Sequence, residues 1–227
     1  MSDLIHRHAQ SRAQALAVWT PARQWTYAEL DAAVAATAAR LRDVGVGAQT
    51  RVALKLERGP EALVLLWALW RVGAVAVPLS TRLPTESVAE RVRQVGAPVL
   101  VTAEEGGSVN VPDEAALHSV ADLVVLDAPA GQAEGASGQH RVLGRPASII
   151  FTSGSTGAPK AVLHTWRNHL YSAKGSNANL PLRPGDRWLL SLPLYHVGGL
   201  AILVRCALAG AVVAMPGSDP DISEAVA

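Results

Sequence analysis

The stretch RVALKLERGPEALVLLWALWRVGAVAVPLS, residues 51–80, decides the fold prediction. Its apolar segment at 51–57 has strand character, the segment at 61–73 is helical and ends at Gly73, and 74–80 is again apolar. Apolar runs that do not alternate with polar residues are typical of parallel strands buried on both faces. The order of strand, helix and strand therefore predicts a parallel sheet covered by helices.

The same pattern extends on both sides of this stretch. The Ala-rich, amphipathic segment at 27–45 predicts a helix upstream. Downstream, 85–96 predicts a helix with Thr85 as its N-cap, and 98–103 predicts a further strand. We therefore expect an α/β fold built on parallel sheets.

A second α/β set is expected from residue 147 onward. We divide the chain into a first α/β subdomain at 1–146 and the start of a second at 147–227. The predicted strands of the second set cover 147–153, 161–165, 186–193 and 211–216, and its predicted helices cover 166–178 and 198–210.

Two segments between these sets have a different composition. Residues 104–121 and 129–146 are rich in Gly, Ala, Ser and acidic residues, which is typical of mobile loops. The apolar run at 122–128 between them predicts one short strand.

Composition argues against several classes of function. The 227 residues are 49% apolar, which is enough for a buried core, and the formal net charge is only +1. This balance does not favour a nucleic-acid or anionic-membrane partner, because such partners usually need a basic excess. The single cysteine, Cys206, lies in an apolar run, so we expect a core residue and no disulfide or Cys-based zinc site.

The sequence predicts a cytoplasmic protein without a membrane segment. Residues 1–14 contain no apolar signal-peptide core. The apolar stretch at 62–79 has the length of a membrane span, but Arg71, Gly73 and Pro78 interrupt it. A buried helix, a turn and a buried strand account for it better.

The segment TSGSTGAPK, residues 152–160, is the main candidate for a ligand site. Its glycines allow the backbone to turn sharply, and its backbone N–H and hydroxyl groups can donate to phosphate oxygens. Lys160 adds a positive charge, and the segment contains no acidic residue. A flexible Ser/Gly linker has a similar composition, but linkers seldom stand between two apolar strands.

Two well-known motifs do not fit this segment. A Walker A loop has its lysine directly after the second glycine, whereas Lys160 follows Gly157 by three positions. A nucleophile elbow needs a glycine two residues before its serine, and Ser153 occupies that place before Ser155.

TSGSTGAPK instead resembles the phosphate-loop signature of the adenylate-forming, or AMP-binding, superfamily, which includes acyl-CoA synthetases, luciferases and peptide-synthetase adenylation domains. The resemblance extends over nearly the whole chain, since 51–80 is similar to the N-terminal region of the family. LSLPLYHVGGL, at 190–200, resembles its next motif, which lines the acyl pocket. Ala161 departs from the glycine that is usual after the lysine of the signature.

Within the superfamily, HTWRNHLYSAKGSNANL at 164–180 is most similar to the o-succinylbenzoate–CoA ligase branch of menaquinone biosynthesis. His164 and His169 are the narrower part of this match. The superfamily signature is long and specific, whereas the match to the branch is shorter.

The resemblance implies a two-step reaction with ATP, Mg²⁺ and coenzyme A. A carboxylate attacks the α-phosphate of Mg-ATP and releases pyrophosphate, and the thiol of coenzyme A then attacks the acyl-adenylate. Lys160 would steady the loop or its phosphate, and no metal ligand is assigned. The residues that would hold the β- and γ-phosphates are Thr152, Ser153, Gly154, Ser155, Thr156 and Gly157.

His196 is the second catalytic candidate beside Lys160. By resemblance it would orient the carboxylate or gate the acyl pocket, with Gly198 and Gly199 next to the substrate. Carboxyl ends of parallel strands are where such folds bind ligands, and His196 is expected at one of them.

His164 and Asn168 are further substrate candidates, because o-succinylbenzoate carries two carboxylates and a ketone. His169 is turned about 100° away from Asn168 on a helix, so the two cannot face one ligand together. The alternative that Thr165 is an N-cap and Asn168 a packing polar group stays open.

The later motifs of the family, for adenine, ribose and magnesium, are absent from the 227 residues, as is the C-terminal lid domain with its lysine. We therefore expect the N-terminal portion of a ligase, inactive in thioesterification unless a missing C-terminal portion or a second chain, as in a homodimer, completes it. The alternatives are a ligase for another aromatic or fatty carboxylic acid, and a non-catalytic nucleotide- or acyl-binding remnant.

Overall fold

The structure, a computed structural model, describes residues 3–103, 115–129, 142–152 and 159–215. Helices α1 to α7 are Leu4–Ser11, Tyr27–Asp43, Pro60–Val72, Thr85–Val95, Val120–Leu123, Trp166–Asn179 and Val197–Ala209. Strands β1 to β10 are Leu16–Trp19, Gln24–Thr26, Arg51–Lys55, Val75–Pro78, Val99–Thr102, Ala116–Ser119, Pro146–Thr152, Lys160–Thr165, Arg187–Leu189 and Val212–Ala214.

The strands form two sheets. One has the order β6-β5-β3-β4-β7-β8 and the other β2-β1-β10-β9. The pairs are parallel except β7 with β8 and β1 with β2, which are antiparallel. The predicted parallel α/β fold is confirmed. Each sheet contains strands that precede residue 146 in the sequence and strands that follow it. The predicted division into subdomains at 1–146 and 147–227 therefore does not coincide with the two sheets, and it stays a prediction.

Helices cover both faces of the six-stranded sheet. Val52 and Leu54 of β3 pack into the large core that contains α2 and α3. Ala53, between them, packs into a second cluster with residues of α4. Successive side chains of a strand point to opposite faces, so a continuous apolar strand needs cover on both sides.

Helix α3 is the centre of the large core. Pro60 starts it and Gly73, with φ 81°, ends it in the left-handed conformation that glycine adopts without strain. Its one basic residue, Arg71, is buried and donates to the carboxylates of Asp3 and Asp31 over 2.8 and 2.5 Å. Among the described residues, no helix combines the length and the apolar character needed to cross a membrane.

Cys206 is fully buried, as predicted, and burial raises the pKa of its thiol to about 12. A thiol that stays protonated is a poor nucleophile. Cys206 is therefore a packing residue of α7.

The prediction of a strand at 122–128 is wrong. Residues 120–123 form α5, and the strand lies earlier, at Ala116–Ser119, where it pairs with β5. The apolar run is explained by packing, because Leu123 is buried and Val124 and Leu126 pack against the large core. The prediction of a loop at 104–121 is therefore wrong for the residues that form β6 and the start of α5. Its remainder, 104–114, and residues 130–141 of the loop at 129–146 lie outside the described residues.

Two predicted element ends are also corrected. The N-cap of α4 is Pro84 rather than Thr85, which is the first residue of the helix. Strand β9 ends at Leu189, so the segment that leads to His196 is irregular rather than a strand to residue 193.

A buried histidine connects β7 to α6. His169 Nε2 lies 2.8 Å from Ser148 Oγ, and the ring centroids of His169 and His164 are 5.6 Å apart. Burial, with a smaller contribution from His164, lowers the pKa of His169 from 6.5 to about 4. The folded state therefore holds this ring neutral at neutral pH.

We expect the stability of the protein to depend on pH through His169. The pKa is lower in the folded state than its ordinary value, so this contribution is present above pH 6.5 and is lost as the pH falls towards 4. The loss amounts to about 3 kcal/mol. Denaturant unfolding between these pH values measures it.

The variant His169→Gln should show a flatter pH dependence than the wild type, while Ser148→Ala, which keeps the histidine, should retain the loss in acid. Identical pH slopes for the wild type and His169→Gln would contradict the assignment.

Candidate functional site

The signature segment 152–160 connects β7 to β8. These strands form an antiparallel hairpin in which Thr152 is opposite Lys160. Thr152 Oγ1 lies 3.5 Å from the Lys160 carbonyl oxygen, to which it donates, and both residues are exposed. The predicted phosphate-contact residues Ser153, Gly154, Ser155, Thr156 and Gly157 lie outside the described residues.

The signature segment begins at the carboxyl edge of the six-stranded sheet. β7 runs parallel to β4, which runs parallel to β3, so the segments that follow these three strands emerge at one edge. Ligands bind at this edge in open α/β sheets. The signature segment therefore starts where the fold provides a ligand site.

Helix α4 supports both flanks of the signature segment. Gln94 Nε2 donates to the carbonyl oxygen of Pro159 over 3.1 Å, one residue before Lys160. The guanidinium of Arg91 lies 5.1 Å from the ring centroid of Phe151, one residue before Thr152. Sequence reasoning missed both contacts, because it assigned α4 only the role of covering the sheet.

His196 lies at the start of α7, where it is the N-cap residue and is exposed. Within the described residues its side chain makes no capping hydrogen bond, and its ring packs against Tyr195 at 4.7 Å between centroids. The imidazole is therefore accessible beside the first N–H groups of a helix, which favour an anion.

Gly199 has a steric role in placing His196. A Cβ at Gly199 would lie 2.2 Å from the carbonyl oxygen of Pro193, so the helix can start this close to the preceding turn only with glycine. That turn is closed by the His196 N–H, which donates to Pro193 O over 3.1 Å. At Gly198 a Cβ would meet only the side chain of Leu192, at 2.6 Å.

Asn168 is engaged in capping α6. Its Oδ1 accepts hydrogen bonds from the N–H and the hydroxyl of Thr165, over 2.8 and 2.7 Å, and Thr165 Oγ1 accepts from the Asn168 N–H. Thr165 is therefore the N-cap, as one of the sequence alternatives had it. The substrate roles of Asn168 and of the half-buried His164 stay predictions.

A polar cavity of about 260 Å³ lies next to His196, between the segments that follow β3 and β4 and the turn before α7. Arg58 borders it and donates to the carbonyl oxygens of Leu190 and Ser191, on the segment that leads to His196. Sequence reasoning did not single out Arg58, because nothing local to residue 58 indicates a contact with residues 190 and 191. The lining residues are Leu56, Glu57, Arg58, Thr81, Arg82, Pro193, Leu194 and Tyr195.

Comparison with curated proteins shows clear relatives. The chain is 37% identical over 198 residues to a 2-succinylbenzoate–CoA ligase of Bacillus cereus, a match that covers 86% of this chain and 39% of that protein. It is 38% identical over 180 residues to the ligase of the same name from Bacillus mycoides, covering 79% of this chain and 36% of that protein. The chain thus spans about two fifths of the length of these relatives.

Solved structures share the fold. Wild-type E. coli MenE, bound to an m-phenylether-linked analogue of OSB-AMS, has a TM-score of 0.81 and 28% identity, over 97% of this chain and 46% of that one. The o-succinylbenzoate coenzyme A synthetase MenE of Bacillus subtilis, in complex with ATP and magnesium ion, has a TM-score of 0.84 and 26% identity, over 99% and 46%.

The family match covers almost the whole chain. The profile of the AMP-binding enzymes aligns with residues 5–227, which include the hairpin, the signature segment between its strands and the His196 turn. The chain therefore belongs to the AMP-binding enzyme family.

Proposed function

We propose that this protein acts as an ATP-dependent acid–thiol ligase that converts 2-succinylbenzoate into 2-succinylbenzoyl-CoA. The observation that carries the proposal is the 37% identity, over 86% of the chain, to a curated ligase of that name. The relatives are longer than the chain, so a complete catalytic cycle would also use parts that the match does not cover. The cytoplasm, where ATP and coenzyme A are available, is the expected location.

In the first step a carboxylate oxygen of the acid attacks the α-phosphorus of ATP. An acyl-adenylate forms and pyrophosphate leaves. The chain would contribute by holding the triphosphate in line and by balancing the charge on its oxygens. Backbone N–H and hydroxyl groups of residues 152–157 would hold the β- and γ-phosphates, and Lys160, exposed at the start of β8, would supply the positive charge.

His196 would act on the carboxylate. Its accessible ring and the first N–H groups of α7 lie at one place, so a carboxylate there would meet several donors. In the second step the thiol of coenzyme A attacks the carbonyl carbon of the acyl-adenylate, and AMP leaves. Gly198 and Gly199, beside His196 in the first turn of α7, are the further substrate candidates at this place.

Magnesium would enter as part of the Mg-ATP substrate. Among the residues that the structure describes, no group of three His, Cys, Asp or Glu side chains could hold a metal ion. These side chains do not fit a resident metal, and the phosphate oxygens of ATP would carry the ion.

We expect Lys160→Ala to raise the KM for ATP about tenfold. A hydrogen bond to a charged group contributes roughly 1.5–3 kcal/mol, and each 1.4 kcal/mol changes an affinity by about tenfold. Pyrophosphate release, measured on the chain with any sequence encoded downstream of it, gives the KM. Lys174→Ala is the matched control, because Lys174 is exposed on α6 and lies over Tyr171. Equal KM values for both variants would contradict a phosphate contact at Lys160.

We expect the same protein to discriminate among carboxylic acids. When an acid lacks one of the two carboxylates, the donors that would bind that carboxylate stay unpaired. The kcat/KM for benzoate or hexanoate should therefore be at least about 100-fold lower than for 2-succinylbenzoate. Similar values would support a ligase for another acid. Binding of ATP without pyrophosphate release from any acid of the panel would support the non-catalytic remnant.

A further inference from the structure

We propose that Arg58 is a positioning residue that holds the segment 190–196, and thereby His196, in place for the adenylation step. This inference rests on the proposed function. It connects the segment after β3 of the six-stranded sheet with the segment after β9 of the four-stranded sheet.

The contact is a hydrogen-bonded bridge between the two sheets. Arg58 follows β3 of the six-stranded sheet, and Leu190 and Ser191 follow β9 of the four-stranded sheet. Arg58 Nη1 donates to Leu190 O over 3.3 Å and to Ser191 O over 2.8 Å. One nitrogen therefore serves two consecutive carbonyls of the same segment.

The bridge lies where sheet pairing of this segment ends. The Leu190 N–H still donates to Ala214 O of β10 over 2.8 Å, which extends the pairing by one residue past β9. Leu190 is buried, so its carbonyl needs a partner at this point, because a buried backbone group left unpaired is costly. Arg58 supplies one and also donates to the carbonyl of the exposed Ser191, and the turn from Pro193 to His196 follows.

Arg58 is itself on an anchored segment. The preceding residue, Glu57, accepts a hydrogen bond of 2.5 Å from the hydroxyl of Thr81, which follows β4. The next residues, Gly59 and Pro60, start α3. The segment that carries Arg58 is thus fixed relative to β3, β4 and α3.

The cavity of about 260 Å³ provides room for the segment to move when this bridge is missing. Arg58, Glu57 and Thr81 line one side of it, and Pro193, Leu194 and Tyr195 line the other. Displacement of a reacting group by about 1 Å can cost up to roughly 100-fold in rate. Loss of the bridge should therefore reduce turnover more than it affects ATP binding.

A double-mutant cycle tests this inference. Arg58→Met should lower the kcat of pyrophosphate release about tenfold, with the KM for ATP changed by at most about twofold. If Arg58 acts through His196, adding Arg58→Met to His196→Ala should have little further effect. Multiplicative losses in the double variant would overturn the inference.

The matched control is Arg40→Met. Arg40 also donates from Nη1 to a backbone carbonyl, that of Asp122, over 2.9 Å, but it joins α2 to α5 and, among the described residues, makes no hydrogen bond to the segment 190–196. The kcat of this variant should equal that of the wild type. A tenfold loss here as well would show that Arg58→Met reports only a general loss of an arginine–carbonyl contact, and would overturn the inference.

Hydrogen exchange tests the bridge without the reaction. Arg58→Met should speed amide exchange in peptides that cover 190–200 and leave α6 unchanged, whereas Arg40→Met should not affect 190–200. Unchanged exchange at 190–200 in Arg58→Met would overturn the inference even in an active enzyme. A wild-type protein that releases no pyrophosphate would refute the proposed function, and the exchange measurement would still decide on Arg58.

Discussion

The antiparallel pairing of β7 with β8 is the constraint on which the candidate site depends. It places Thr152 opposite Lys160 at the two ends of the signature segment, and the parallel pairing of β7 with β4 brings that segment to the carboxyl edge of the sheet. The hairpin is fixed further by α6, through His169 and Ser148, and by α4, through Gln94. The two flanks of the signature segment are thus held by β7, β8, α4 and α6.

The second half of the site depends on contact between the two sheets. His196 ends the segment that follows β9 of the four-stranded sheet, whereas the signature hairpin is part of the six-stranded sheet. Their relative position has to be maintained by side chains, because no strand is shared. Arg58 is one such side chain, and Tyr27, whose hydroxyl donates to Ala211 O, connects α2 to the start of β10.

Features with local causes could be predicted from the sequence. Helix α3 was predicted within one residue, because Pro60 and Gly73 bound it, and the signature segment was recognised from its own residues. Features that depend on distant partners could not. The apolar run at 122–128 packs rather than pairs, and Arg58 meets a segment more than 130 positions away. The antiparallel direction of β8 does have a local cause, because the seven residues between β7 and β8 are too few for a parallel crossover.

The central claim is that a carboxylate of the acid attacks the α-phosphate of ATP, and oxygen labelling tests it most directly. The protein, with any downstream sequence encoded with it, would be given 2-succinylbenzoate labelled with ¹⁸O in its carboxylates, together with Mg-ATP and coenzyme A. Attack at the α-phosphorus followed by thioester formation transfers one labelled oxygen to AMP, and mass spectrometry should find it there. Label in inorganic phosphate together with formation of ADP would mean attack at the γ-phosphate and would contradict the adenylation mechanism.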